Sequence, residues 1–107
     1  MRFQGKVAIV TAAANGIGKA TSRILAREGA KLVAVDINPE ALIDLSREIE
    51  SEKGDIITLE TNVLEPNQVK DLVDSVVDRF HKIDILVNAV GGSTIFQIAQ
   101  PQLITFP

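Results

Sequence analysis

Between Thr11 and Gly18 the sequence reads TAAANGIG, directly after the apolar run Val7-Ala8-Ile9-Val10. A helical pattern opens at Ile17. A strand, a tight glycine turn and a helix N-terminus in that order make an anion site. N–H groups at a helix start lack partners, and the helix dipole adds partial positive charge. At Gly16 and Gly18 no Cβ keeps a ligand away from the backbone. The implied chemistry is binding of the pyrophosphate of a dinucleotide. The plain alternative is a strand–helix turn built from small residues.

The spacing departs from the G-x-G-x-x-G fingerprint, because Thr21 stands where the third glycine belongs. It resembles instead the T-G-x-x-x-G-x-G turn of the short-chain dehydrogenase/reductase family. Thr11, Gly16 and Gly18 match that turn, and Ala12 stands where the family usually has Gly. Alanine is tolerable at this place if its φ stays negative, and costly otherwise.

In an open parallel sheet, ligands bind beyond the carboxyl ends of the strands, where strand order reverses. The strand ends therefore count together. Lys31 to Asp36 (KLVAVD) ends in an acid, close to the spacing of about 20 residues at which a carboxylate takes ribose hydroxyls. Ile37 and Asn38 follow it, not Arg or Lys. That favours NAD over NADP, since a carboxylate repels a 2′-phosphate. Alternatively, Asp36 only caps a strand end. The third strand end carries Asn62-Val63, where the family usually shows Asp-Val. The fourth carries Asn88-Ala89-Val90-Gly91, where the family usually shows Asn-Asn-Ala-Gly. The resemblance implies that Asn15 contacts the adenosine ribose. It implies that Ile17 offers its N–H to pyrophosphate, Asp36 takes the ribose hydroxyls and Asn62 faces the adenine amino group. Thr11, Ala12, Gly16, Gly18, Ile37, Val63, Asn88, Ala89, Val90 and Gly91 would complete the cofactor site.

These ends need elements to hold them. Lys6 to Thr11, Lys31 to Asp36, Asp55 to Glu60 and Ile83 to Val87 read as strands, apolar enough to be covered on both faces. Between them run three helical patterns. The first, about Ile17 to Glu28, places Ile17, Ala20, Ile24 and Leu25 on one face and stops at Gly29. The second opens at Asn38-Pro39, an N-cap with proline at N1, and turns Leu42, Leu45 and Ile49 inward. The third opens at Pro66 and repeats Val69, Leu72, Val73, Val76, Val77 and Phe80. Its opposite face, Lys70, Asp71, Asp74 and Asp78, reads as solvated and not as a metal site.

Strands alternating with helices predict an α/β, Rossmann-type doubly wound parallel sheet of order 3-2-1-4. Residues 1–92 form this half-domain, and 93–107 read as an irregular apolar tail without a period. The resemblance covers residues 5 to about 92.

The bounds are ordinary. The chain has 107 residues, 46% hydrophobic and 23% charged, which suits one small globular domain. A net charge of −3 argues against a nucleic-acid partner. The lack of cysteine excludes disulfides and thiolate metal sites and is compatible with a reducing compartment, so the expected location is cytoplasmic. Arg2, Lys6 and the following apolar residues read as a buried strand and not a signal peptide. No run approaches the ~20 apolar residues of a membrane span.

The family's hydride chemistry needs a Tyr and a Lys four residues apart, with a nearby Ser; the Lys and the cofactor lower the Tyr pKa so that it moves the substrate proton. This sequence has no tyrosine. Ser93 comes too early for that serine, and His81 reads as a surface or C-cap residue. The expectation is therefore the cofactor-binding half of an NAD-dependent alcohol/ketone oxidoreductase, truncated and without turnover by itself. Its fourth strand is expected to be an exposed edge, open to self-association or to the folded-back tail. One alternative is a non-catalytic nucleotide-binding or interaction protein. A phosphorylated receiver domain is disfavoured, because Thr11-Ala12-Ala13 and Glu60-Thr61-Asn62 stand where its acidic residues belong.

Overall fold

A computed structural model of the chain describes residues 2–89 and the backbone of residues 94–98 and 102–106. The elements run β1 (Val7–Thr11), α1 (Gly16–Arg27), β2 (Lys31–Asp36), α2 (Pro39–Ser51), β3 (Asp55–Glu60), α3 (Pro66–Phe80), β4 (Ile85–Asn88), β5 (Thr94–Ile98) and β6 (Gln102–Phe106). The sheet order is β3-β2-β1-β4-β5-β6. The first four strands are parallel in the expected 3-2-1-4 order. The register sets Thr11 opposite Val35 on one side and Asn88 on the other, and Asp36 opposite Glu60. All four predicted strand ends thus lie along one edge of the sheet.

Side chains alternate across the sheet, as the pleat requires. Ala8, Val10, Leu32, Ala34 and Val87 meet α1 and α2 through Leu25, Leu42, Leu45 and Ile49. Val7, Ile9, Val33 and Val35 meet α3 through Leu72 and Val76. Two inward faces differ from the sequence reading. In α1 the buried residues are Gly18, Ser22, Leu25 and Ala26, while Ile17 and Ile24 are exposed. The small residues let α1 lie close to the sheet. The Ser22 hydroxyl donates to Gly18 O at 2.7 Å, which removes the cost of burying it. In α3, Val73 and Val77 stay partly exposed beside buried Leu72 and Val76.

The helix ends follow their residues. Asn38 Oδ1 accepts from the N–H groups of Glu40 and Ala41, both at 3.1 Å, with Pro39 opening α2. Gly29 (φ +93) follows α1, where Ala30 N–H reaches back to Leu25 O at 3.0 Å. His81 (φ +64) ends α3 and gives its N–H to Val77 O. It lies at the end of the sheet opposite the predicted site, as a C-cap.

The stretch after β4 corrects the sequence reading. The sequence predicts an irregular tail over 93–107 and an exposed β4 edge, with that tail folding back over the edge as one alternative. In the structure β5 pairs antiparallel with β4, and β6 pairs antiparallel with β5. Their sequences, TIFQI and QLITF, are rich in β-branched and aromatic residues, which favour strands. Pairing also satisfies the outer N–H and C=O groups of β4. Each strand reads polar-apolar-apolar-polar-apolar, which is neither an unbroken apolar run nor a strict alternation, so no period marks it.

Asp84 fastens β4 to β1. Its carboxylate accepts the Val7 N–H at 2.8 Å and pairs with the Lys82 ammonium at 2.9 Å. Partial burial pushes its pKa up, but the Val7 N–H and the charges of Lys82 and Lys6 outweigh that and hold it below the usual carboxylate value. A carboxylate with a lowered folded-state pKa stabilises the fold above its unfolded pKa of about 4, and this is lost as the pH falls through the folded value. Asp84→Ala is expected to lower stability at pH 7 by about 1.5 kcal/mol. It should also flatten the acid limb of stability against pH. Urea midpoints between pH 3 and 7 check this, and parallel curves for the two proteins would refute it.

Candidate functional site

β1 leads into the turn at Ala12, whose φ is +49. This is the costly case for a residue with a Cβ, by about 1–2 kcal/mol. The turn is then tied to β2 at two successive residues. Ala13 N–H donates to Val35 O at 3.0 Å, and Ala14 N–H donates to Asp36 Oδ2 at 3.2 Å. Asn15 is extended and caps α1 without a side-chain bond. Gly16 (φ +50) starts the helix, and a Cβ built there meets nothing within 4 Å. Gly18 is the reverse: its Cβ would stand 2.0 Å from Ala12 O and 2.7 Å from Ala12 C. Gly16 thus opens space above the helix end, and Gly18 lets the helix pack under the turn.

Asp36, half-buried, lies beside this turn. Its Oδ1 accepts the Asn38 N–H at 3.0 Å, so both carboxylate oxygens hold backbone donors. Each oxygen keeps a further lone pair for a ligand. Next to it a cleft of about 290 Å³ brings together Ala12, Asn15, Asp36, Ile37, Asn62 and Val63, all expected at the site. The sequence reading missed three other lining residues, Val35, Thr61 and Leu64. Thr61 is buried and donates its N–H to Asp36 O at 3.0 Å. Ile37 and Leu64, 68% and 77% exposed, present two large apolar side chains at the cleft. Asn62 Oδ1 accepts the Leu64 N–H at 3.0 Å, and Asn62 N–H donates to Gln68 Oε1 at 2.8 Å. Its acceptor oxygen is therefore shared with its own loop.

Thr11, Asn88 and Ala89 form a separate group. Thr11 is buried, and its hydroxyl lies 2.8 Å from Asn88 Oδ1 and accepts the Ala89 N–H at 3.2 Å. Thr11 and Asn88 line a neighbouring cavity of about 330 Å³ between the sheet and α3, and not the cleft. They join β1 to β4 at the edge of the site. Val90 and Gly91 lie outside the described residues. No helix among the described residues is long and apolar enough to cross a membrane. No group of three or more His, Cys, Asp or Glu among them could hold a metal.

The model of the short chain dehydrogenase family matches residues 6–104. The chain belongs to this family. Among short-chain dehydrogenases, 3-oxoacyl-[acyl-carrier-protein] reductase FabG of Thermotoga maritima is 44% identical over 91 residues, 85% of this chain and 37% of that protein. The structure of carveol dehydrogenase from Mycobacterium avium in complex with NAD superposes with a TM-score of 0.77 at 31% identity, over 84% of this chain and 37% of that one. A metagenomic short-chain oxidoreductase in complex with NADP gives a TM-score of 0.78 at 28% identity, over 80% and 39%. The chain spans well under half the length of these short-chain dehydrogenases. Its relatives bind nicotinamide dinucleotides of both kinds.

Proposed function

We propose that the chain binds NAD in preference to NADP and forms the cofactor-binding part of an alcohol/ketone oxidoreductase. The observation that carries this is the Asp36 carboxylate in the cleft beside an open helix N-terminus, with no Lys or Arg among the cleft residues. The residues suit the cofactor. The space over Gly16 admits phosphate oxygens to the N–H groups at the start of α1. Asp36 accepts the adenosine ribose hydroxyls, and Asn15 borders the same sugar. Ile37, Val63 and Leu64 supply apolar walls for the adenine, with Asn62 at its polar edge. When bound, the cofactor accepts or gives a hydride. The 107 residues contain no tyrosine, so no proton-transfer step is assigned to them, and they are expected to bind without turning over.

A 2′-phosphate would bring negative charge onto Asp36. The chain should therefore bind NADH at least about tenfold more tightly than NADPH, a difference of roughly 1.4 kcal/mol. Titration by NADH emission reads this directly, since the protein has no Trp or Tyr. Equal affinities would overturn the NAD preference. A folded chain that binds neither would overturn the cofactor reading and leave an interaction protein as the better account.

A further inference from the structure

We propose that Asp36 also acts as the positioning residue for the glycine turn, through the same carboxylate. This rests on the reading that the cleft holds the adenosine half of a dinucleotide. A ribose ligand would need only an acceptor at the end of β2. Here the carboxylate is engaged by two main-chain donors, with Oδ2 accepting the Ala14 N–H at 3.2 Å and Oδ1 the Asn38 N–H at 3.0 Å. Ala14 sits between two left-handed residues, Ala12 and Gly16. Such a turn is unfavourable for the backbone unless its surroundings hold it. The bond from Ala13 N–H to Val35 O holds one residue of it. The next donor, Ala14 N–H, takes the Asp36 side chain in place of a main-chain oxygen. A bond to a charged acceptor is about twice as strong as a neutral one. Two residues later the phosphate-facing N–H groups of α1 begin. Asp36 therefore fixes where those N–H groups point, and its other oxygen ties the same carboxylate to the start of α2.

The two roles separate in a ligand cycle. If Asp36 only gripped ribose, removing its carboxylate and removing the hydroxyls would delete the same contact. NADH lacking both adenosine ribose hydroxyls would then bind the wild type and Asp36→Ala equally. With the brace, the variant also loses the aligned turn, and the dideoxy analogue should bind it about three- to tenfold more weakly than it binds the wild type. Equal analogue affinities would overturn the proposal. Amide exchange gives a ligand-free readout: Ala14 should be protected in the wild type and exchange about tenfold faster in Asp36→Ala. An unprotected Ala14 in the wild type would overturn the brace even if the variant did not fold. If NADH itself failed to bind a folded wild type, the cofactor reading would fall, and Ala14 exchange would still decide the brace.

Discussion

Replacing Gly18 with alanine is expected to cost on the order of 3 kcal/mol, a large share of the 5–15 kcal/mol that holds a domain together. The added methyl would lie 2.0 Å from Ala12 O, 2.7 Å from Ala12 C and 3.2 Å from Ala13 Cα. All three are main-chain atoms, so no side chain can swing aside. Either α1 moves off the sheet or the turn opens, and the turn is tied to β2 through Ala13 and Ala14. Gly16→Ala makes the comparison clean. A Cβ there meets nothing, so it should cost only the left-handed backbone preference, about 1–2 kcal/mol, while closing space over the helix end. Urea denaturation of both variants tests the contrast. A Gly18→Ala protein as stable as Gly16→Ala would show that the turn is softer than its contacts imply.

Thr11→Val is expected to cost about 2 kcal/mol while leaving the core volume nearly unchanged. Thr11 is 5% exposed, and its hydroxyl meets Asn88 Oδ1 at 2.8 Å and the Ala89 N–H at 3.2 Å. Valine keeps the branched shape and removes both bonds, and losing a buried partner carries a penalty of about 1–3 kcal/mol. In a domain of this size each kcal/mol moves Tm by roughly 4–8 °C, so a fall near 10 °C is expected in thermal denaturation. An unchanged Tm would show that Thr11 contributes no more than its methyl group.

The parallel strands were legible because strands covered on both faces read as nearly unbroken apolar runs. Their ends then located Asp36, Asn62 and Asn88 correctly along one edge. Three things escaped, each for a physical reason. Ser22 sits inside because a main-chain carbonyl satisfies it, which no hydropathy pattern records. The β5–β6 hairpin escaped because TIFQI and QLITF are neither unbroken apolar runs nor strict alternations, and because the strands depend on the free edge of β4. Ala14 and Thr61 shape the site through their N–H groups, which every residue but proline possesses, so residue type carries no signal. The role of Thr11 was legible only in part: its position in the turn is as expected, but its hydroxyl is turned toward β4. Ala12 had two outcomes open, and φ +49 selects the strained one.

The pairing of β1 with β4 also bears on how the molecule comes together in time. Val7 meets Asp84, and Thr11 meets Asn88, each across 77 residues of chain. Closing a loop of that length costs about 4 kcal/mol of chain entropy. Contacts so distant in sequence are slow to form. The β1–β2 and β2–β3 units can assemble over shorter loops, and the hairpin beyond β4 can zip locally once that strand is docked. Docking β4 is therefore the expected late, rate-setting event, and with it Asn88 reaches Thr11. The β1–β4 seam beside the cleft is then made only after the β1–β3 strands have assembled, and a chain stalled before that event would carry its glycine turn without β4 and the hairpin that pairs onto it.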